Sequence, residues 1–412
     1  MKLGKHPPMK LASIFATILF LWIPTHLMPR GISQVATPPP EREINLRGVG
    51  VEPPKALKYE NSEIFSDLSL LFDDDNLRIL FINEGELAVY FSDPVDERTT
   101  RGTDPSSSTP SHRMEAFFIS LDNGSLVSHQ VWQTRRRRFI SDTYDSQARI
   151  LAVRDGFLVH AGNILALYSP KLQKKHEIQF DPSLEYAAIV APGGDDFFLE
   201  QSSPGVPVSS DGVSMVVQGD SEHMPIAHGE WRSSATFEKL RSMNLYPGTA
   251  VSVASDAFAW RGAQCLELQR ADASKSHVCC GDPCGYGGPK FVSDKELISC
   301  YLSGFQVLSI GGESLWGRRA ADPEVHLVEG CVPSLDGSRF AIAASWNHRT
   351  EFDGTEIPRG SITFIVYDRS RRAKVFNVVV KSEDAYQFAL SPSGDRLAIL
   401  SGTTLFVYRI PS

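Results

Sequence analysis

Ala389-Leu390-Ser391-Pro392-Ser393-Gly394-Asp395-Arg396-Leu397-Ala398-Ile399-Leu400 consists of two apolar runs separated by a Pro/Ser/Gly/Asp turn. Proline presets φ, glycine supplies positive φ, and short Ser and Asp side chains bond the turn backbone, so the segment predicts two antiparallel strands joined tightly. Similar units occur around Asp75, Ser146, Gly194, Asp256, Asp294 and Asp336. A unit returning at this spacing points to an array of small sheets rather than to unrelated domains.

A second kind of hairpin follows several of these units. Phe117–Val127 turns at Asn123-Gly124, a strong hairpin signal. Ile164–Tyr168 leads to His176–Ile178, Phe305–Ser309 to Ser314–Trp316, and Phe364–Asp368 to Val375–Val378. Two hairpins make four strands per unit, and seven turn positions spread over about 350 residues give roughly 50 residues per unit. The expected fold is all-β: a closed propeller of four-stranded blades, seven or else six. Its last unit offers Gln387–Ser391, Arg396–Leu400 and Thr404–Arg409 and then the chain stops at Ser412, one strand short. Closing a ring removes exposed sheet edges. A segment within Glu41–Glu63, with Glu43–Val49 as first choice, is therefore expected to supply the missing strand; the other reading of that stretch is a plain tether.

At Val332–Phe340 and Leu390–Leu397 the chain resembles the WD40-like and TolB-like β-propeller families. Residues 290–412 and 65–180 carry most of the resemblance, and residues 185–280 carry little. The Gly-His and Trp-Asp pairs of WD40 repeats do not recur. The resemblance therefore implies a divergent propeller, without implying a particular partner.

Residues 1–33 read as a signal peptide or N-terminal anchor. Lys2, Lys5 and Lys10 precede the apolar run Leu11–Pro24, and Gly31 and Ser33 offer a cleavage site after Ser33, with a second after Ala36. The run is about 14 residues, against roughly 20 needed to cross a bilayer. Cleavage would give a secreted, periplasmic or extracellular protein; an uncleaved segment would anchor it to the membrane through residues 11–28. Residues 34–58, with Pro38-Pro39-Pro40 and Pro53-Pro54, read as a stiff leader, and residues 59–412 as the propeller. The whole chain has net charge −8; without Lys2, Lys5, Lys10 and Arg30 it becomes −12. So acidic a body argues against nucleic-acid binding, which needs a concentrated cationic face. Ser92–Arg113 is almost without apolar residues and reads as a polar surface loop.

Candidate site residues are few. Cys265, Cys279, Cys280, Cys284, Cys300 and Cys331 crowd into one region. In an exported chain they point to disulfides, though six cysteines allow 15 pairings. Cys279 or Cys280 with Cys284 would tie down Gly281–Gly288, whereas His277, Asp282 and the nearby thiols offer an alternative metal set. Adjacent cysteines on a strand face opposite ways, so no metal is assigned. Arg135, Arg136, Arg137 and Arg138 form either a solvated strand end or a patch for an anion or acidic partner. Gly193-Gly194, Gly285–Gly288 and Gly311-Gly312 read as turns, His160 as a packed residue, and Asp73-Asp74-Asp75 as a solvated acidic turn.

No catalytic residue and no cofactor is assigned. The expected function is a monomeric binding or scaffold module for a protein, peptide or envelope component. The alternative is a propeller enzyme, lactonase-like or quinone-dependent, with a metal or cofactor in the central channel; Leu121–Trp132 and Gly311–Trp316 faintly echo the quinone-binding turn.

Overall fold

The computed structural model describes residues 38–51, 77–92, 112–134, 148–181, 184–202, 227–245, 252–261, 266–270, 275–278, 289–301, 304–319, 326–345, 350–381 and 386–412. Seven four-stranded antiparallel sheets form from these segments. Blade 1 is Arg78–Asn83, Glu86–Ser92, His112–Ser120 and Leu126–Thr134. Blade 2 is Ala148–Val153, Gly156–Ala161, Ile164–Tyr168 and Lys174–Gln179. Blade 3 is Glu185–Val190, Asp196–Ser202, Ala227–Ser233 and Lys239–Leu245. Blade 4 is Ser252–Val253, Ala257–Arg261, Leu266–Arg270 and Lys275–Val278. Blade 5 is Pro289–Ser293, Glu296–Tyr301, Gly304–Ser309 and Ser314–Arg319. Blade 6 is His326–Pro333, Arg339–Ser345, Ser361–Asp368 and Ala373–Lys381. Blade 7 takes Tyr386–Leu390, Arg396–Ser401 and Thr404–Arg409 from the end of the chain and Arg42–Asn45 from its beginning. First strands of adjacent blades touch all the way round, blade 7 against blade 1 included, so the ring is closed. It is a seven-bladed β-propeller.

Strands buried on both faces read as unbroken apolar runs, because each face meets a neighbouring blade. In Arg396–Ser401, Leu397 and Ile399 pack toward blade 6, while Ala398 and Leu400 join a cluster shared with blade 1. That is why this segment shows no polar alternation. Outer strands are half solvated, and Lys174–Gln179 in blade 2 is almost wholly exposed.

Ring closure rests on the first strand. Arg42 pairs with Val407 and Asn45 with Thr404, and the Leu46 amide donates to the Thr403 carbonyl at 2.9 Å. The closing strand expected over Glu43–Val49 is Arg42–Asn45, and a 3-10 turn at Arg47–Val49 follows it. Ile44, Leu46 and Val51 are buried together with Leu87, Phe117 and Leu121 of blade 1 and with Leu400 and Leu405 of blade 7. Glu41 bonds Arg396 and Arg409, and Arg42 donates to the Asp122 carbonyl. The strand thus fastens blade 7 and also seats it against blade 1.

Gly194, Gly337 and Gly394 occupy the turn after the first strand in blades 3, 6 and 7, each at positive φ. Added Cβ atoms there would meet Arg154 N at 2.5 Å, Val292 O at 1.7 Å and Arg339 Cβ at 2.9 Å. Each of those neighbours belongs to the preceding blade. These glycines therefore serve the packing of blade on blade as well as the turn.

Some expectations need correcting. In blades 1 and 2 the first two strands are joined at Glu84-Gly85 and Arg154-Asp155. The turns are not near Asp75 and Ser146, which lie outside the described residues; charged, proline-free turns hid the true register. Residues 185–280, weak in pattern, form blades 3 and 4. Blade 6 also carries an unforeseen hairpin, Thr350–Phe352 with Thr355–Ile357, whose Phe352 and Ile357 are fully buried in the core between blades 5 and 6. Cys300 of blade 5 and Cys331 of blade 6 form a disulfide across that same interface.

Candidate ligand-binding channel

The two ends of the ring differ. At one end lie the turns between first and second strands, and those of blades 3 and 6 meet across the ring. Gly193 N of blade 3 donates to Leu335 O of blade 6 at 2.6 Å, although two blades separate them in ring order. Around this bond, Asp336 N donates to Pro392 O at 3.0 Å and Arg154 N to Gly194 O at 3.2 Å. Arg154 also pairs with Asp195 at 2.7 Å, and Ser255 donates to Asp294 at 2.7 Å. Burial holds the Asp196 carboxyl above its ordinary range; the nearby Asp195 and Asp294 charges add to this, while Arg241 opposes it. The Gly193–Leu335 bond bridges this, the closed end of the ring.

At the other end the chain leaves its second strands and enters its first strands. The long connections are here: residues 93–111, 203–226 and 346–360 each join a second strand to a third. Only 350–360 of these are described.

Between the ends, first strands line the channel. Counting along each second strand from the closed end, Arg78 pairs with its fifth residue, Tyr90, and Arg149 with the fifth, His160; Lys290 pairs with the third, Ile298. Leu80 and Leu151 share the level of Lys290, opposite Ala88 and Leu158. All three are part-buried, whereas the intervening Ile79, Ile150 and Phe291 are buried between blades. Leu80 and Leu151 pack on the cores between blades 1 and 2 and between blades 2 and 3, so both parities of these first strands face neighbouring blades.

Lys290 stands on blade 5 and Arg149 on blade 2, with blades 3 and 4 between them. Burial first, and then the Arg149 charge, push the Lys290 ammonium down to about 8. Among the described residues, no carboxylate is hydrogen-bonded to Lys290 or moves its titration.

The residues singled out from sequence do not assemble here. His160 is buried, its ring edge-on to Phe180. Gly193-Gly194 belong to the closing turn, and Gly311-Gly312 to an outer turn of blade 5. Arg135, Arg136, Arg137, Arg138, Asp73-Asp74-Asp75, Cys265, Cys279, Cys280 and Cys284 lie outside the described residues. No group of three or more His, Cys, Asp or Glu able to hold a metal occurs among the described residues, and no described helix is long and apolar enough to cross a membrane. Arg78, Arg149 and Lys290 were missed. Their signal is a lone cation at or near the start of an apolar first strand, visible only once the register is known.

No protein-family model matches the chain, and no curated protein is significantly similar to it. Among solved structures it is similar to the WD40 domain of Neurospora crassa Pan2, with 8% identity, 81% of this chain and 89% of that one covered, and a TM-score of 0.44. The C-terminal WD40 domain of Sif2 matches at 11% identity over 82% and 97% of the two chains, with a TM-score of 0.38. BBS1N, solved in complex with ARL6DN, matches at 11% identity over 81% and 91%, with a TM-score of 0.43. The fold assignment itself stands on the strand pairing described above.

Proposed function

We propose that the chain is an exported, non-catalytic binding propeller whose protein or peptide partner docks on the end from which the long connections leave. The observation that carries this is the asymmetry of the ring: turns bonded across the ring at one end, the long connections leaving from the other. A propeller supplies a rigid base on which loops can be varied for recognition without disturbing the blades.

Export is supported by the charged and apolar pattern of residues 1–33 and by the Cys300–Cys331 bond, a type that persists in oxidising compartments. N-terminal sequencing of the exported protein should begin after Ser33 or Ala36. A protein retained inside the cell with both thiols free to alkylate would refute export.

The docking reading is tested by crosslinking the full chain in exporting cells, identifying the partner, and measuring affinity for surface variants. Asn163→Arg and Thr403→Arg, in turns at the open end, should weaken binding tenfold or more. Arg154→Glu and Lys171→Glu, at the closed end, should leave it unchanged. The reverse pattern would overturn the assignment.

A further inference from the structure

We infer that the outer strand of blade 1, Leu126–Thr134, pairs antiparallel with the same strand of a second copy, so that the protein is a two-fold dimer rather than the monomer expected from its sequence.

An outer blade strand leaves one row of backbone N–H and C=O groups unpaired, and such an edge is normally guarded by charge or proline. Each of the other six outer strands contains lysine or arginine, from Arg42 in blade 7 to Lys374 and Lys381 in blade 6. Leu126–Thr134 contains no Lys, Arg, Asp, Glu or Pro over its nine residues. It also gathers three of the four large apolar side chains that stand exposed among the described residues, namely Leu126, Val127 and Val131; the fourth is Leu240 on blade 3. Its far edge has no strand partner among the described residues.

The edge is held in shape from both faces. Trp132 Nε1 donates to the Tyr168 hydroxyl of blade 2 at 3.2 Å, while on the other face His129 stacks on Phe117 at 4.2 Å and meets Glu115 at 3.1 Å. Glu115 also pairs with Arg113 at 3.5 Å, so its charge is balanced within blade 1. A strand fixed in this way loses little freedom on pairing. Its composition selects the occupant. An uncharged edge offers nothing to draw in a charged strand, whereas against itself it sets no like charges opposite one another. Register points the same way. Phe118 pairs with Ser128 and Ile119 with Leu126, so Val127 is the extra residue of a bulge, and regular ladder runs from Ser128 to Thr134 with Val131 at its midpoint. A two-fold axis at that midpoint places Val131 against its own counterpart and His129 against the partner's Gln133, so exposed apolar surface meets its like.

Sedimentation velocity of the full chain over rising concentration should show a monomer–dimer equilibrium. Val131→Lys, which sets two ammonium groups face to face at the axis, should keep the native far-UV spectrum and weaken dimerisation tenfold or more. Leu240→Lys, the same change on the outer strand of blade 3, should leave it unchanged. Val131→Cys should be crosslinked to a covalent dimer by a short bis-maleimide, because residues directly opposite on antiparallel strands carry Cβ atoms about 4.5–5.5 Å apart. The unaltered chain and Leu240→Cys, which share the same native cysteines, should stay at background. A chain that remains monomeric at every concentration would overturn the inference. A dimer undiminished by Val131→Lys, or crosslinked as well through Leu240→Cys as through Val131→Cys, would overturn it too, by placing the contact elsewhere.

Discussion

Truncating Leu46 to alanine should loosen the ring at the seam between its two ends. Leu46 is fully buried, beside Ile44 and Val51 of its own segment and core residues of blades 1 and 7. Its amide holds Thr403, and its carbonyl accepts from Val49 and Val51. The backbone contacts survive the substitution, so the loss comes from the missing side chain and the cavity left behind. For a fully enclosed leucine this is about 2–5 kcal/mol, a large part of the roughly 5–15 kcal/mol that holds a typical domain together. At about 2 cal/mol/K per residue, a loss of roughly 3 kcal/mol in a ring of this size lowers the melting temperature by roughly 4 °C. Urea unfolding followed by far-UV circular dichroism and by tryptophan fluorescence measures it. Coincidence of the two curves checks that the ring unfolds as one unit. Arg47→Ala, on the exposed turn next door, serves as control and should stay within about 0.5 kcal/mol. A loss below about 1 kcal/mol for Leu46→Ala would mean that the first strand adds little to stability, and the account of closure would be wrong.

Gly337→Ala should cost more than the usual helix or strand glycine, roughly 2 kcal/mol or above, because the new methyl would sit 1.7 Å from Val292 O and at positive φ; a neutral effect in thermal melts would refute the packing role given to the turn glycines. Cys331→Ser should lose roughly 3–4 kcal/mol, as expected for a bridge between residues 31 apart in sequence, and added reductant should then leave the variant's unfolding midpoint unchanged. The Lys290 ammonium is about 8 in the folded protein and 10.5 unfolded. The unfolded chain therefore binds more protons between those values, and stability should rise with pH from about 8 toward 10.5. Lys290→Met should flatten that rise. Glu41 has the same sign in a lower window: hydrogen bonding from Arg396 holds its carboxyl below the ordinary value despite opposing burial. Its contribution is present above the usual carboxylate range and fades as pH falls; Glu41→Gln should reduce the acid sensitivity of closure.

Much of the architecture could be read from composition around turns. Ser391–Asp395 and Ser334–Ser338 announce themselves because the same glycine must turn the chain and admit the preceding blade, leaving a fixed Gly between small polar residues. Glu84-Gly85 and Arg154-Asp155 make equivalent turns without proline, so the first two blades were misregistered while their strands were still visible. The hairpin at Thr350–Ile357 escaped notice because its buried members, Phe352 and Ile357, are isolated among polar residues and find their apolar surroundings only on blades 5 and 6. The channel was less legible. Whether Lys290 faces solvent, a neighbouring blade or the axis depends on strand parity, and parity is lost with a one-residue error in the turn. Cys300 and Cys331 illustrate the same limit: six cysteines offered 15 pairings, and only adjacency of two blades selects this one.

Arg42 lies beside Val407 and Asn45 beside Thr404, so the first strand runs from the closed end of the ring toward the open one. Anything joined ahead of Glu41, whether a bead, a fusion or a lipid surface, pulls on the floor of the molecule and leaves its mouth facing outward. Joined beyond Ser412, one turn past Arg409, the same load is applied at that floor too. Both handles therefore hold the propeller in one posture, and the opposite posture requires an attachment point within a connection at the open end.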